Sequence, residues 1–216
     1  MNDKSCMKAL VLWLILACGL SVVGAQASPL LQVRSGGTTV VLTNAMLTKL
    51  GDCTIAAIPP AQFVADQGRL IFRITRGAFA SDPQDPAGEI DHNGGVSLSC
   101  PGLGRDGTVN IQNLTLQWYD TGYDAPVLTG LVTTESADLE PGSHKPSRLK
   151  LFKVAGDTLT ISAAADNSFV RIRRADLTLT IEAALFLASL GIGTPDAELV
   201  FGRAFIQANF LLPPDN

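Results

Sequence analysis

Residues that carry catalytic or metal-binding chemistry are scarce in this sequence of 216 residues. It has two histidines, four cysteines, two tyrosines and two tryptophans, and only 17% of its residues are charged. No group of His, Cys, Asp and Glu has the spacing of a structural zinc site, and the Gly-x-Ser-x-Gly and phosphate-loop motifs are absent. The alternation of strands with long helices that a dinucleotide-binding fold requires is also missing. The sequence therefore favours a protein without enzymatic activity.

A strong excess of charge of one sign is lacking as well. Sixteen basic and 20 acidic residues give a net charge of −4 and a pI of about 5.1. This mild acidity gives no electrostatic reason to expect binding to nucleic acid or to an anionic membrane. The plentiful Val, Leu, Ile and Thr indicate an ordered, β-rich protein rather than a disordered one.

The N-terminal residues have the pattern of an export signal. A positive region with Lys4 and Lys8 precedes an apolar run at 9–20 and the small-x-small motif Ala25-Gln26-Ala27, which predicts cleavage before Ser28. We therefore expect a signal peptide at 1–27, a single β-rich domain at 28–216 and a secreted or periplasmic location.

Two alternatives apply to this N-terminal segment. The apolar run at 9–23 is shorter than the about 20 residues of a membrane span, so we expect no stable membrane insertion after cleavage. The lipobox-like residues Ile15-Leu16-Ala17-Cys18 would instead give a protein anchored through a lipid on Cys18.

Cleavage at this site would remove Cys6 and Cys18 and leave Cys53 and Cys100. Two cysteines in an exported protein favour one disulfide bond, with two buried free thiols as the alternative. Loss of two lysines and one aspartate with the signal would also change the net charge from −4 to −5.

Apolar and polar residues alternate with period two along most of the remaining sequence, which predicts strands. Asn44 is a candidate cap for a short helix at 45–50 that ends at Gly51, and a second short helix is predicted at 183–190. The phase shift at Gln112-Asn113 predicts a bulge. We expect a mainly β domain, an antiparallel sheet or sandwich-like arrangement with two short helices. Further strands are predicted at 54–58, 70–75, 108–118, 127–133, 148–154, 157–162, 169–181 and 199–210, with loops at 80–87 and 135–147.

Two glycine-rich segments predict tight turns between paired strands. Asn93-Gly94-Gly95 supplies the positive φ angles of a two-residue hairpin loop, which would place His92 at the tip of a hairpin spanning 88–98. Ser35-Gly36-Gly37 is interpreted in the same way, between strands at 30–34 and 38–42.

His92 has three interpretations: a bond to the turn backbone, a buried polar partner, or a contact with a ligand. Glu89 and Asp91 share one face of a strand, either as the solvent face of the hairpin or as a pair for acid–base work. The other residues able to stack on or ligate a flat cofactor are Trp118-Tyr119 and Tyr123.

The remaining charged candidates have simpler interpretations. Arg171, Arg173 and Arg174 are expected on the outer face of a strand whose inner face carries apolar side chains, with contact to an anion as the alternative. His144 lies in a Pro-Gly-Ser-His-Lys-Pro sequence and is expected in an exposed loop.

The segment 88–98, with a histidine followed closely by glycine and then an apolar strand, resembles the HtaA-type domain of secreted and surface-anchored bacterial proteins. The resemblance extends in register over about Val40 to Phe210. Among the other segments that carry it are Ile58-Pro59-Pro60-Ala61, Ile74-Thr75-Arg76-Gly77, Pro126-Val127-Leu128-Thr129-Gly130, Arg148-Leu149-Lys150-Leu151-Phe152 and Phe201-Gly202-Arg203-Ala204.

This resemblance implies haemin binding and an extracytoplasmic haem-uptake role. In the family, a tyrosine near the domain start ligates the iron and the hairpin histidine hydrogen-bonds to that tyrosine. The histidine corresponds to His92. The strand expected to carry the tyrosine, Leu70 to Phe79, contains none.

Two functions follow as expectations. The first is a non-catalytic module that binds haem or another small ligand, with His92, Tyr119 and Tyr123 near the ligand. The second is a structural or adhesive cell-surface module that keeps the fold without the ligand. A hydrolase that uses Glu89, Asp91 or His92 is a distant third.

Overall fold

The computed structural model describes residues 29–80, 86–101, 107–118, 122–123, 125–135, 146–155, 159–189 and 199–211. The predicted signal peptide, Cys18, Tyr119 and His144 lie outside these ranges, as do most of the two predicted loops. No helix within the described ranges is long and apolar enough to cross a membrane.

The described chain is mainly β. Its two α-helices are α1 (Asn44–Leu50) and α2 (Ile181–Ser189), and a short 3-10 helix covers Ala65–Gln67. Its strands are β1 (Leu30–Leu42), β2 (Thr54–Ile58), β3 (Gln62–Val64), β4 (Arg69–Ala80), β5 (Gly88–Asn93), β6 (Gly95–Ser99), β7 (Thr108–Gln117), β8 (Val127–Glu135), β9 (Ser147–Val154), β10 (Thr160–Ala163), β11 (Phe169–Leu179) and β12 (Val200–Phe210).

The strands form one antiparallel sheet, and most of it closes on itself. The order β7-β5-β4-β1-β12-β11-β9-β8 is completed by pairing between β8 and β7, which makes a barrel of eight strands. β6 and then β2 extend the sheet beyond β7, while β3 and β10 pair with β4 and β11. The expectation of a mainly antiparallel β domain with two short helices is confirmed, and the sheet takes the form of a barrel with an extension.

The predicted hairpin at 88–98 is wrong. β5 and β6 do not pair with each other; both pair with β7, Ile90 opposite Leu116 and Val96 opposite Ile111. The chain therefore continues past Gly94 in the same direction, with a local kink where Gly94 has a φ of +83°. The positive φ of Gly94 serves a kink and not a reversal here, because the segments on both sides of it pair with β7.

The predicted turn at 35–37 is wrong for a related reason. β1 runs unbroken from Leu30 to Leu42 and pairs along its length with β4 on one side and β12 on the other. Gly36 adopts a φ of +145° within this strand. A shift in the pairing register between Val33 and Ser35 marks a bulge next to it.

Both helices lie at the same end of the barrel. α1 follows the end of β1, where Leu42 pairs with Gly202, and α2 follows the end of β11, where Thr178 pairs with Val200. Each helix has a threonine at its N-terminus, because the hydroxyl groups of Thr43 and Thr180 accept hydrogen bonds from the backbone N–H three residues later. The cap of α1 is thus Thr43 and not the predicted Asn44.

Candidate functional site

His92 is buried inside the barrel and is not at a turn. Only 4% of the residue is exposed. Its Nδ1 lies 3.2 Å from the carbonyl oxygen of Leu114, and its Nε2 lies 2.6 Å from Oγ1 of Thr38. Because a carbonyl oxygen only accepts, Nδ1 carries the proton and donates it, and the bare Nε2 accepts from the Thr38 hydroxyl. Of the three interpretations of His92, the structure shows the buried polar partner.

The environment of His92 favours the neutral ring. Burial lowers its pKa from 6.5 to about 4, although the hydrogen bond to Leu114 and the charge of Asp91 act in the opposite direction. The ring of Phe72 also approaches the imidazole edge-on, at 6.5 Å between centroids. At neutral pH the histidine therefore joins β5, β7 and β1 through two hydrogen bonds without bringing a charge into the interior.

We expect this histidine to make stability depend on pH. The unfolded chain takes up the His92 proton near pH 6.5, whereas the folded chain does so only near pH 4. The contribution of neutral His92 to the free energy of unfolding is therefore fully present above pH 7. It falls as the pH is lowered from 6.5 towards 4, by about 2 kcal/mol between pH 7 and pH 5. Urea denaturation at a series of pH values measures the slope.

The matched control for this slope is His92→Gln, whose amide can also donate and accept but does not titrate. Its free energy of unfolding should lose about 2 kcal/mol less than that of the wild type between pH 7 and pH 5. Equal slopes for the two proteins would show that His92 does not control the pH dependence.

The space next to His92 is small. A cavity of about 20 Å³ lies against His92, Thr38 and Trp118, with apolar side chains around the rest of it, which is room for about one water molecule. Nε1 of Trp118 is buried without a hydrogen-bond partner among the described residues. Among the described residues, both nitrogens of His92 are engaged and the adjoining space holds about one water, so His92 does not fit the role of a haem ligand.

The acidic candidates on β5 are part of the outer surface. Asp91 accepts a hydrogen bond from Thr115 at 2.6 Å and pairs with Arg76 at 2.7 Å. Ile90 between the two carboxylates is fully buried, as expected if Glu89 and Asp91 face outward. Within the described ranges, no group of three or more His, Cys, Asp and Glu residues could hold a metal ion.

Tyr123 lies at the surface beside α2. Its hydroxyl donates a hydrogen bond to Glu182, and Nζ of Lys150 lies 5.7 Å from the centre of its ring. Burial and the Glu182 carboxylate raise the pKa of Tyr123. Neither of these neighbours contacts His92, so the structure does not join the two candidates into one site. Tyr119, the third candidate, lies outside the described residues.

A larger cavity lies at the end of the barrel that carries both helices. Its volume is about 70 Å³, several times the 10–15 Å³ that one water needs. Its lining comes from the barrel strands, from β2 and β6, and from both helices, including Met46, Leu50, Ala183, Phe186 and Leu187. We refer to it as the helix-covered cavity.

All twenty of the described side chains that line the helix-covered cavity are aliphatic, aromatic or methionine. The only side-chain heteroatom among these residues is the sulfur of Met46. Such a lining offers dispersion contacts and the hydrophobic effect, but no polar group to orient a polar ligand. An apolar cavity of this kind stays dry and accepts apolar molecules.

A disulfide bond secures one wall of this cavity. Cys53 precedes β2 and Cys100 follows β6, and the two sulfur atoms are bonded. β2 and β6 contribute Ile55, Val96 and Leu98 to the lining. The predicted pairing of Cys53 with Cys100 is thus present, and it fits an oxidising, extracytoplasmic compartment.

The sequence analysis missed this cavity because no motif marks it. The signal it left is indirect: two short Leu-rich helices that each follow a strand and a threonine, at 43–50 and 180–189. The two helices lie at the same end of the barrel because β12 pairs with both β1 and β11. A local sequence pattern does not predict such long-range pairing.

A comparison with solved structures finds the C-terminal domain of HtaA from Corynebacterium glutamicum. The TM-score is 0.58, and the match covers 83% of this chain and 98% of that domain. This chain has an HtaA-like fold. The two sequences are 14% identical, so the likeness to HtaA is one of fold. No protein-family model matches the sequence, and no curated protein does.

The HtaA-like fold confirms the resemblance drawn from the segment 88–98, but not the local structure expected there. In this HtaA-like domain the hydroxyl partner of His92 is Thr38 on β1. The resemblance had placed a tyrosine partner on the strand at 70–79. His92 therefore has a hydroxyl partner, as the resemblance implies, but the hydroxyl group belongs to the buried side chain of Thr38 and not to a tyrosine.

Proposed function

We propose that this protein is a non-catalytic binding module of an exported protein, and that it takes a small apolar ligand into the helix-covered cavity. The observation that carries the proposal is the lining of this cavity, which is apolar at every described residue. The cavity beside His92, by contrast, holds about one water. The HtaA-like fold supports a binding rather than a catalytic role.

The chemistry of the cavity separates an apolar ligand from haem. Iron in haem is held in proteins by His, Cys, Met or Tyr. His92 is engaged on both nitrogens inside the barrel, and the described lining of the helix-covered cavity offers only the sulfur of Met46. A molecule that binds through its apolar surface alone therefore fits this site better than a ligand that must be held through a metal.

Titration with xenon, an apolar atom small enough for a cavity of about 70 Å³, tests this function. We expect saturable binding with one site per protein, followed as chemical-shift changes of the methyl groups that line the cavity. Ala183→Leu adds apolar volume from α2 to the cavity and should weaken binding at least about fivefold, because a filled pocket excludes the ligand.

The matched control is Ala184→Leu, on the same helix but outside the lining, which should bind xenon like the wild type. A parallel titration with haemin follows the Soret band in the wild type and in His92→Gln. A Soret shift that His92→Gln weakens would contradict the proposal and favour a haem site at His92. Absence of binding to both ligands would favour the structural or adhesive module.

A further inference from the structure

Arginine side chains are concentrated on one part of the barrel exterior. Six arginines on β4, β12 and β11 lie on the outer side of this part of the barrel, which also includes β1 between β4 and β12. We refer to this surface as the arginine face. Its arginines are Arg69, Arg73, Arg171, Arg173, Arg174 and Arg203.

The strand register arranges this face in three rows that cross the four strands. Within each strand the intervening side chains are buried, so the members of the rows all point outward. The first row contains Arg73, Gly37, Gln207 and Arg171, the second contains Ile71, Thr39 and Phe205, and the third contains Arg69, Val41, Arg203 and Asp176. Arg173 and Arg174 lie at the bulge of β11, beside the second row.

Little on the arginine face neutralises its charge. Among the described residues, the one acidic side chain in these rows is Asp176, which pairs with Arg203 at 2.9 Å. Arg69 and Arg171 donate to the neutral side chains of Gln67 and Gln207. Arg73, Arg173 and Arg174 are exposed. This surface is therefore strongly positive on a chain whose net charge is −4.

The middle of the arginine face carries apolar side chains around Thr39. Phe205 is 40% exposed, and Ile71 of the same row and Val41 of the third row are partly exposed. The face thus combines cations at its margins with an aromatic and aliphatic centre. Anionic lipid headgroups match the cations, and the interfacial layer of a bilayer accepts the apolar side chains.

We infer that the arginine face docks this protein reversibly on a bilayer that contains anionic phospholipid. Charge complementarity supplies the attraction, and Phe205 enters the headgroup layer. The predicted export places the domain in a compartment where it meets membrane surfaces rather than nucleic acid. The net charge of the whole chain gave no reason to expect this, because it averages over a positive face and an acidic remainder.

Co-sedimentation with vesicles tests this inference. The protein should bind vesicles of phosphatidylcholine with 30% phosphatidylglycerol at low salt, fail to bind pure phosphatidylcholine, and dissociate at 0.5 M NaCl. The double variant Arg73→Gln/Arg173→Gln should bind the anionic vesicles at least about tenfold more weakly, since each cation near an anionic surface contributes substantially to binding.

The matched control is Lys49→Gln/Arg76→Gln, which removes the same charge from α1 and from the middle of β4, where Arg76 is paired with Asp91, and should bind like the wild type. Phe205→Ser should weaken binding without changing its salt dependence. Equal loss in the two double variants would overturn the inference, as would the absence of wild-type binding to anionic vesicles. Binding to soluble polyphosphate but not to vesicles would also overturn it, in favour of a soluble polyanion.

Discussion

Replacing Cys53 and Cys100 together with alanine is expected to lower the free energy of unfolding by about 4 kcal/mol. The bond closes a chain loop with a sequence separation of 47 residues, and a crosslink of this span removes much of the freedom of the unfolded chain. Among the described strands, β2 lies at the edge of the sheet and pairs only with β6. Without the disulfide bond, the wall of the helix-covered cavity that β2 forms is held by the hydrogen bonds between β2 and β6.

Urea denaturation of the wild type and of the double variant measures the effect. Addition of a reductant supplies the control, because it should reduce the stability of the wild type to about that of the double variant and leave the variant unchanged. A difference below about 1 kcal/mol between oxidised wild type and variant would contradict the prediction.

The second large effect is expected at Gly36. A Cβ atom at this position would lie 2.0 Å from the carbonyl oxygen of Gln207 on β12, and the φ of +145° is one that other residues rarely adopt. The obstructing atom belongs to the backbone of a paired strand, so it cannot move without breaking the ladder. Gly36→Ala should therefore lower the free energy of unfolding by about 3 kcal/mol or more.

The neighbouring glycine provides a matched control. A Cβ atom at Gly37 would lie 3.7 Å from its nearest neighbour, the carbonyl oxygen of Phe72, and Gly37 lacks the positive φ. Gly37→Ala should change the free energy of unfolding by less than about 1 kcal/mol, with a gain from the stiffer unfolded chain. Similar losses in both variants would show that β1 is not held as closely against β12 as the structure indicates.

Most strands follow from local pattern alone. The alternation at 54–58 predicts β2 with the same bounds, and the phase shift at Gln112-Asn113 predicts the bulge in β7. Asn113 indeed has a φ of +52°. These predictions succeed because, in a half-buried strand, apolar side chains face the core and polar side chains face solvent at alternate residues.

The two incorrect turn predictions show what the local sequence pattern cannot predict. Asn-Gly-Gly and Ser-Gly-Gly are strong turn signals, yet in both places the chain continues as a strand. At 93–95 both neighbouring segments find their partner in β7, and at 35–37 both find partners in β4 and β12. Glycine permits a tight turn, and it also permits two strand backbones to approach closely. Here the glycines have the second role, and only the partner strands distinguish it from the first.

The candidate site was predicted only in part, for the same reason. The sequence singles out His92, but its burial depends on contacts with Thr38 and Leu114, 54 and 22 residues away. The pairing of Cys53 with Cys100 was predicted from the expected extracytoplasmic compartment and from the number of cysteines left after signal cleavage. The helix-covered cavity, by contrast, is assembled from residues between Val40 and Phe201, none of which is unusual in its own segment.

The pairing of β1 with β12 also bears on the order of folding. Leu42 pairs with Gly202 and Val33 with Phe210, so the barrel closes only after its most distant strands have met. Contacts of such long range slow folding, because the chain must lose much of its freedom before they form. A chain that emerges during synthesis therefore lacks a completed barrel until β12 is available. If the chain is exported as its sequence predicts, we expect barrel closure and disulfide formation to follow transport rather than precede it.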